Sequence, residues 1–317
     1  MPTRVKPARV LVLRALKLGD FLTAVPAYRA IRRAFPAARI ALAAPREFAP
    51  LAALLDGALD EVVDARELEP LPKRVHDADL GIDLHGKGPE CHRVLLAARP
   101  RRLIAFRHPD VPESASGAAH DAAEHEVARW CRMLAHSGIP ADPHDLFLEP
   151  AAVPVRAELR GATLVHPGAA SEARCWPIER WISVVRAERR RGRRVVLTGS
   201  PTEVERVQAI ASAAGLSSDA VYAGRTTLLE IAGLVAGAGR VVCGDTGVAH
   251  LATAFRTPSV VLFGPTPPAL WGPPPDPRHR VLWAGKTGDP HAARVDAGLL
   301  AISVEQVLGA LYALPAA

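Results

Sequence analysis

Several features that would assign a chain to a common class are missing here. There are 4 cysteines in 317 residues. Cys91, Cys131, Cys175 and Cys243 are far apart and form no Cys-x-x-Cys pair, so no zinc site and no disulfide framework is indicated. A reducing cytosol is the expected location. Cys243, set in an apolar run, reads as a small core residue. No apolar stretch approaches the length of a membrane span. The N-terminal apolar run is broken by Arg14 and Lys17, so it is not a signal-peptide core. No short-period repeat is visible. Three motif fragments fail on context. Asp77-Ala78-Asp79 spells Asp-x-Asp but precedes a strand, so solvated acids are expected. Gly237-Ala238-Gly239 also precedes its strand, contrary to a dinucleotide fingerprint. His120, Glu124 and His125 lack the one-turn spacing of two zinc-binding histidines.

What is present is an apolar, basic chain. Hydrophobic residues make up 49%, and the formal net charge is +6. The length suits two α/β domains. The charge suits an anionic substrate or a membrane surface, although it is widely spread. Arg189, Arg190, Arg191, Arg193 and Arg194 cluster at a predicted helix end. A solvated C-terminus favoured by the helix dipole is the preferred reading there, ahead of a lipid- or nucleic-acid-binding patch.

Strand and helix signals alternate. Arg9–Leu13, Arg39–Ala43, Glu61–Val63, Leu80–Leu84 and Arg102–Phe106 read as strands, and Phe21–Phe35 as a helix with Pro26 near its start or kinking it. A helix from about Asp121 to Ala135 closes the first half. The proline-rich stretch Gly138–Pro154 is a linker candidate. The pattern then restarts, with strands at Thr163–His166, Arg194–Thr198, Arg240–Gly244 and Ser259–Phe263. Helices are predicted at Ile178–Arg189, Pro201–Ala213, Leu228–Ala236 and Ser303–Tyr312, and Gly264–Pro277 as a loop. This predicts two doubly wound, Rossmann-like α/β domains, 1–150 and 151–317, facing each other across a cleft.

Polar residues gather where strands end. Val241–Gly264 reads as strand, turn, short helix and strand, with Asp245, Thr246 and Gly247 in the turn and His250 on the helix. Such a helix N-terminus suits phosphate. The alternative is that Asp245 or Thr246 caps the helix and His250 packs. Asp20, after the first strand, can serve as a general base or as a helix cap. In His166–Pro177, Gly168 offers backbone approach to phosphate oxygens and Arg174 a bidentate cation. Gly199 and Glu203 sit in a further strand-to-helix turn. Glu203 can accept from ribose hydroxyls, or act as a helix N-terminal acid. His85 and Lys87 lie at a strand end, where they can meet anions or simply face solvent, and Lys17 is a further candidate.

Taken in order, these stretches resemble glycosyltransferase family 9, the heptosyltransferase-like enzymes of the GT-B fold. The resemblance lies in VLVLRALKLGDFLTAVPAYRAIRRAFP from Val10, IDLHG from Ile82, and HPGA from His166 with Arg174, Trp176 and Pro177. It continues in GSPTE from Gly199, GDTGVAHLATAFRTPSVVLFGPT from Gly244, and WGP from Trp271. It implies an inverting, metal-independent transfer of a heptose-like sugar from a nucleoside-diphosphate donor, ADP-linked in the best-known members, to a hydroxyl of a cell-envelope glycan or glycolipid. Asp20 falls at the position of the catalytic base. His166, Gly168, Arg174, Gly199, Glu203, Asp245, Thr246, Gly247 and His250 fall on the donor side. Lys17, His85 and Lys87 are acceptor-side candidates. No cofactor beyond the donor, no metal and no nucleic acid are expected, and peripheral contact with the inner face of a membrane is compatible with the charge. The alternatives are a nucleotide-sugar epimerase or a non-catalytic sugar-nucleotide-binding protein on the same fold. The chain departs from the family at GPTPP from Gly264, where many relatives carry an acid, and at Gly285–Leu300, which has no cysteine. The segment Arg46–His125 matches only loosely.

Overall fold

The computed structural model describes residues 6–155 and 159–315. The chain divides into two compact units, Met1–Leu146 and Phe147–Ala317. Unit 1 holds the strands β1 (Arg9–Leu13), β2 (Arg39–Ala44), β3 (Glu61–Asp64), β4 (Leu80–Asp83) and β5 (Leu103–Ile104). Its helices are α1 (Leu18–Thr23), α2 (Val25–Ala34), α3 (Ala49–Ala52), α4 (Glu90–Ala97) and α5 (Glu126–His136). Unit 2 holds β6 (Thr163–His166), β7 (Val195–Leu197), β8 (Arg240–Gly244), β9 (Ser259–Leu262) and β10 (His279–Leu282). Its helices are α6 (Ile178–Arg190), α7 (Val204–Ala214), α8 (Leu228–Gly237), α9 (Gly247–Ala254), α10 (Pro268–Trp271), α11 (Ala297–Ala301) and α12 (Val304–Tyr312).

Each unit is built on one parallel five-stranded sheet, ordered β3-β2-β1-β4-β5 in unit 1 and β10-β9-β8-β6-β7 in unit 2. Both faces of the central strands are covered, so residues 10–13 and 260–262 run as unbroken apolar segments. In unit 2 the core joins β6–β9 to α6, α7 and α12 through Trp176, Trp181, Val184, Ile210 and Leu311. In unit 1 Leu11, Leu13, Val63 and Leu95 pack together. Trp176 and Trp181 meet edge to face at 5.0 Å between ring centroids, and the Trp176 indole donates to the Ile302 carbonyl at 3.1 Å.

The predicted α/β class stands, and several elements differ in detail. The single helix expected over Phe21–Phe35 is two, with Pro26 in the first turn of α2, where a missing N–H costs nothing. The strand expected over Arg102–Phe106 shrinks to Leu103–Ile104, because the chain turns away and the Arg107 amide bonds to Ala118. The helix expected from Asp121 begins at Glu126. Asp121 instead accepts from the Ala123 amide, and His125 Nδ1 caps the Val127 amide at 3.2 Å. The turn Pro201–Glu203 is a 3-10 segment that leads into α7, and the loop after β9 contains α10. No described helix is long and apolar enough to cross a membrane.

Candidate active site

In open parallel sheets, ligands bind at the carboxyl ends of the strands, where the winding direction reverses. In unit 1 that point lies between β1 and β4. The loops after these two strands carry Lys17 and Asp20, and His85 and Lys87. Asp20 stands in the first turn of α1 rather than at the cap position, which Lys17 occupies. Its Oδ2 accepts from the Lys17 amide at 3.2 Å. Its Oδ1 lies 3.7 Å from the Arg14 guanidinium, and the side chain remains 22% exposed. The carboxylate is therefore held in place yet open to a substrate hydroxyl.

Arg14 is the residue that sequence reasoning passed over. Its side chain is fully buried. The guanidinium donates to the carbonyls of Asp20 and Leu84, and to Thr23 Oγ1 and Glu126 Oε1, both at 3.1 Å. It lies 4.9 Å above the Trp130 ring. One cation thus ties the ends of β1 and β4 to α1 and α5. Glu126 is shared with Arg129 and the Trp130 indole. Burial alone would raise its pKa, but Arg14 and Arg129 outweigh that and hold it below the ordinary glutamate value.

His85 is half-buried. Its backbone amide donates to Asp83 Oδ1 at 2.8 Å, and its Nδ1 accepts from the Ala15 amide at 3.2 Å. Lys87 is exposed. Behind them Asp83 Oδ2 meets His92 Nδ1 at 2.7 Å, and His92 Nε2 meets the Phe106 carbonyl at 2.8 Å. The Phe106 carbonyl only accepts, so Nε2 carries a proton, and the carboxylate beside Nδ1 favours a second proton there. Burial opposes the resulting charge, but Asp83 outweighs burial and the His92 pKa is raised. Asp83, Cys91 and His92 place one ligand-type atom each within 4.8 Å of one another. The ring nitrogens are already engaged, and burial together with Asp83 pushes the Cys91 thiol up. The trio reads as an ion pair beside a neutral thiol.

In unit 2 the reversal lies between β6 and β8, and two groups of candidates form there. In the first, Arg174 Nη2 donates to Asp245 Oδ2 at 2.9 Å and to the Asp245 carbonyl. Arg174 Nε and Thr246 Oγ1 are both buried without a hydrogen-bond partner among the described residues. Thr246 is the N-cap residue of α9, but its side chain makes no cap bond. Buried donors left open at a helix N-terminus suit an anion. Gly247 opens α9, and His250 sits edge-on to Trp271 at 5.9 Å. In the second group His166 Nδ1 meets Thr198 Oγ1 at 3.0 Å, and His166 Nε2 lies 3.9 Å from Glu203 Oε2. Burial pulls the His166 pKa down against the opposing charge of Glu203. Glu203 Oε2 also accepts from the Ser200 amide at 2.7 Å. A Cβ on Gly168 would meet Glu203 Cδ at 2.1 Å, and one on Gly199 would meet Val207 at 2.9 Å. Glycine at 168 is what lets the glutamate approach the β6 loop.

The discarded fragments have structural employment. Asp77 pairs with Arg99 at 2.9 Å, and Asp79 accepts the Ala8 and Arg9 amides. Gly239 faces the Gly161 carbonyl, which a Cβ would meet at 2.5 Å. Glu124 pairs with Arg132. The arginine run is more than a solvated helix end. Arg186 and Arg189 donate to the Ala213 and Ala214 carbonyls at the end of α7, Arg191 covers the Tyr312 ring, and Arg193 faces Glu188.

Two parallel-sheet units with ligand-type loops at both reversal points define a GT-B-like protein. Among solved structures the fold is similar to E. coli ADP-heptose LPS heptosyltransferase II, with a TM-score of 0.76 at 21% identity over 96% of this chain and 98% of that one. It is also similar to E. coli heptosyltransferase WaaC with ADP, with a TM-score of 0.73 at 20% identity over 96% and 99%. Residues 115–297, more than half of the chain, match glycosyltransferase family 9 (heptosyltransferase), and the chain belongs to that family. Among curated proteins it is 41% identical to lipopolysaccharide heptosyltransferase 1 of Pseudomonas aeruginosa over 98 residues, 31% of this chain and 27% of that protein. It is 31% identical to lipopolysaccharide heptosyltransferase 3 of Escherichia coli over 112 residues, 35% of this chain. The chain spans about a third of the length of the curated relatives it matches.

Proposed function

We propose that this protein transfers heptose from ADP-heptose to a hydroxyl of a lipopolysaccharide-type acceptor, with inversion and without a metal. The observation that carries the reading is the open buried donor Arg174 Nε, set with the Thr246 hydroxyl beside the start of α9. They suit the diphosphate of the donor. Unit 2 takes the nucleotide, and Glu203, steadied by Ser200 and His166, accepts from the ribose. Unit 1 supplies Asp20. As the acceptor oxygen bonds to the anomeric carbon, its proton passes to Asp20 and the bond to the diphosphate breaks, leaving its electron pair on phosphate oxygen. Arg174 and the amides after Asp245 stabilise that growing charge. The relatives bearing these donor and acceptor names support the choice of substrates, and the work is expected on the cytoplasmic side of the membrane.

Arg174→Ala tests the nucleotide site. It removes a cation and leaves Asp245 unpaired beside the phosphates, so both changes oppose an anion. ADP binding weakens by about 10- to 100-fold, the range for hydrogen bonds to charged groups. The turnover rate falls too, because the charge grows in the transition state, and the acceptor KM stays. Calorimetry with ADP decides it, and parent-like affinity in the variant removes Arg174 from the site.

Metal independence has its own check. Transfer persists in excess EDTA, with Arg174 and the α9 amides standing where other enzymes use a cation. Activity abolished by chelator and restored by magnesium or manganese overturns this and returns Asp77 and Asp79 to consideration.

A further inference from the structure

The loop after β4 is held by hydrogen bonds at successive residues. Leu84 donates its amide to the Leu13 carbonyl at 3.0 Å, and its carbonyl accepts from the buried Arg14. Asp83 divides its carboxylate between the His85 amide and the His92 ring. The next residue, His85, is fixed through its ring as well. The Ala15 amide donates to Nδ1, so Nδ1 carries no proton and a neutral ring must bear its proton on Nε2. That nitrogen has no hydrogen-bond partner among the described residues. Nε2 is not among the buried polar atoms left without a partner, so it lies open to solvent. Here one is used to set the tautomer, and the other is kept as a donor.

We propose that His85 donates one hydrogen bond, from a ring locked in its neutral Nε2–H form, to an oxygen of the sugar acceptor, and that the buried Asp83–His92 pair is the positioning device that holds its loop. This rests on the reading that unit 1 takes the acceptor. The charged groups facing His85 are Asp83 from β4, Arg14 from the end of β1, Glu67 from the loop after β3, and Asp20 from α1. They are of both signs. Burial is the largest influence, and it lowers the pKa of His85 below the ordinary histidine value. A lowered histidine stays neutral through neutral pH and gains charge only in more acid solution. Protonating Nδ1 would also set an N–H against the Ala15 amide, so the geometry and the charge point the same way. A neutral donor can bind a sugar oxygen without competing with Arg14 for Asp20.

The test joins spectra of the full chain to kinetics. Long-range proton–nitrogen correlation assigns the histidine tautomers, with His85→Ala and His92→Asn identifying the peaks. Near pH 7.5, His85 is expected neutral with its proton on Nε2, and His92 protonated on both nitrogens. With ADP-heptose and heptose-free lipopolysaccharide, His85→Ala raises the acceptor KM about 3- to 10-fold, the worth of one neutral hydrogen bond. The donor KM and the turnover rate stay near the parent values. His85→Gln, whose amide N–H reaches toward the Nε2 position, recovers most of the loss. The parent's acceptor KM rises in acid as His85 protonates, and this rise is missing from His85→Gln. His92→Asn keeps a donor for Asp83 and shows a smaller rise in acceptor KM than His85→Ala. A proton found on Nδ1 of His85, or an unchanged acceptor KM in His85→Ala, overturns the proposal. A parent enzyme that leaves ADP-heptose unconsumed overturns the functional reading instead, and the tautomer is still decided by the spectra.

Discussion

Asp20→Asn keeps the fold and binds ADP like the parent, while turnover falls by about 100- to 10,000-fold, the range for loss of a general base. Asparagine preserves the shape and can still accept from the Lys17 amide through its carbonyl oxygen, as Asp20 Oδ2 does. What it loses is the capacity to take a proton. Donor binding is expected to be unaffected because the proposed nucleotide contacts, Arg174 and the Asp245 loop, lie in unit 2. Steady-state turnover with a verified acceptor, set beside ADP calorimetry, separates the two effects. Near-parent turnover takes Asp20 out of the mechanism.

The second large effect is on stability. Arg14→Met fills similar volume but removes the cation between Asp20, Thr23, Leu84 and Glu126. Breaking a buried pair by deleting one partner costs on the order of 3–5 kcal/mol. Arg129 remains on Glu126 and offsets part of that. The variant unfolds at markedly lower denaturant, measured at neutral pH. The difference also has a pH signature. Glu126 has a depressed pKa in the folded protein, so its contribution is present above the ordinary glutamate range and is lost as pH falls through the lowered value. The gap between parent and variant therefore narrows in acid. An unchanged denaturation midpoint refutes the hub role of Arg14.

Much of the fold was legible because its central strands are buried on both faces. Runs such as Arg9–Leu13, Thr163–His166 and Ser259–Leu262 carry their own signal. β10 was not, since it is an edge strand with half its residues exposed, lying just after a proline-rich loop. α4 was hidden for a different reason. Its first turn follows Gly88-Pro89, and His92 and Cys91 take core positions that the helical period does not announce. The strand-end candidates were readable from position and residue type. The supports beneath them were not. Arg14 and Glu126 lie 112 residues apart in sequence, and nothing local marks either as buried. The readable trace was an arginine ending an apolar strand, with an acid six residues on. His92 had a similar trace in Asp83-Leu84-His85 followed by a second histidine one short loop later.

The arginines around the end of α6 bear on how the protein meets an anionic surface. Arg186 and Arg189 have guanidinium donors on the last carbonyls of α7, Arg191 lies flat on Tyr312, and Arg193 faces Glu188. Their charge remains, and Arg186 and Arg189 each spend one donor on a backbone carbonyl while Arg191 covers a ring; Arg193 Nε has no hydrogen-bond partner among the described residues. Reading a phosphate by shape requires the planar guanidinium fork to be open. With part of those forks engaged, what the corner offers an anion first is a diffuse positive potential that fades with salt.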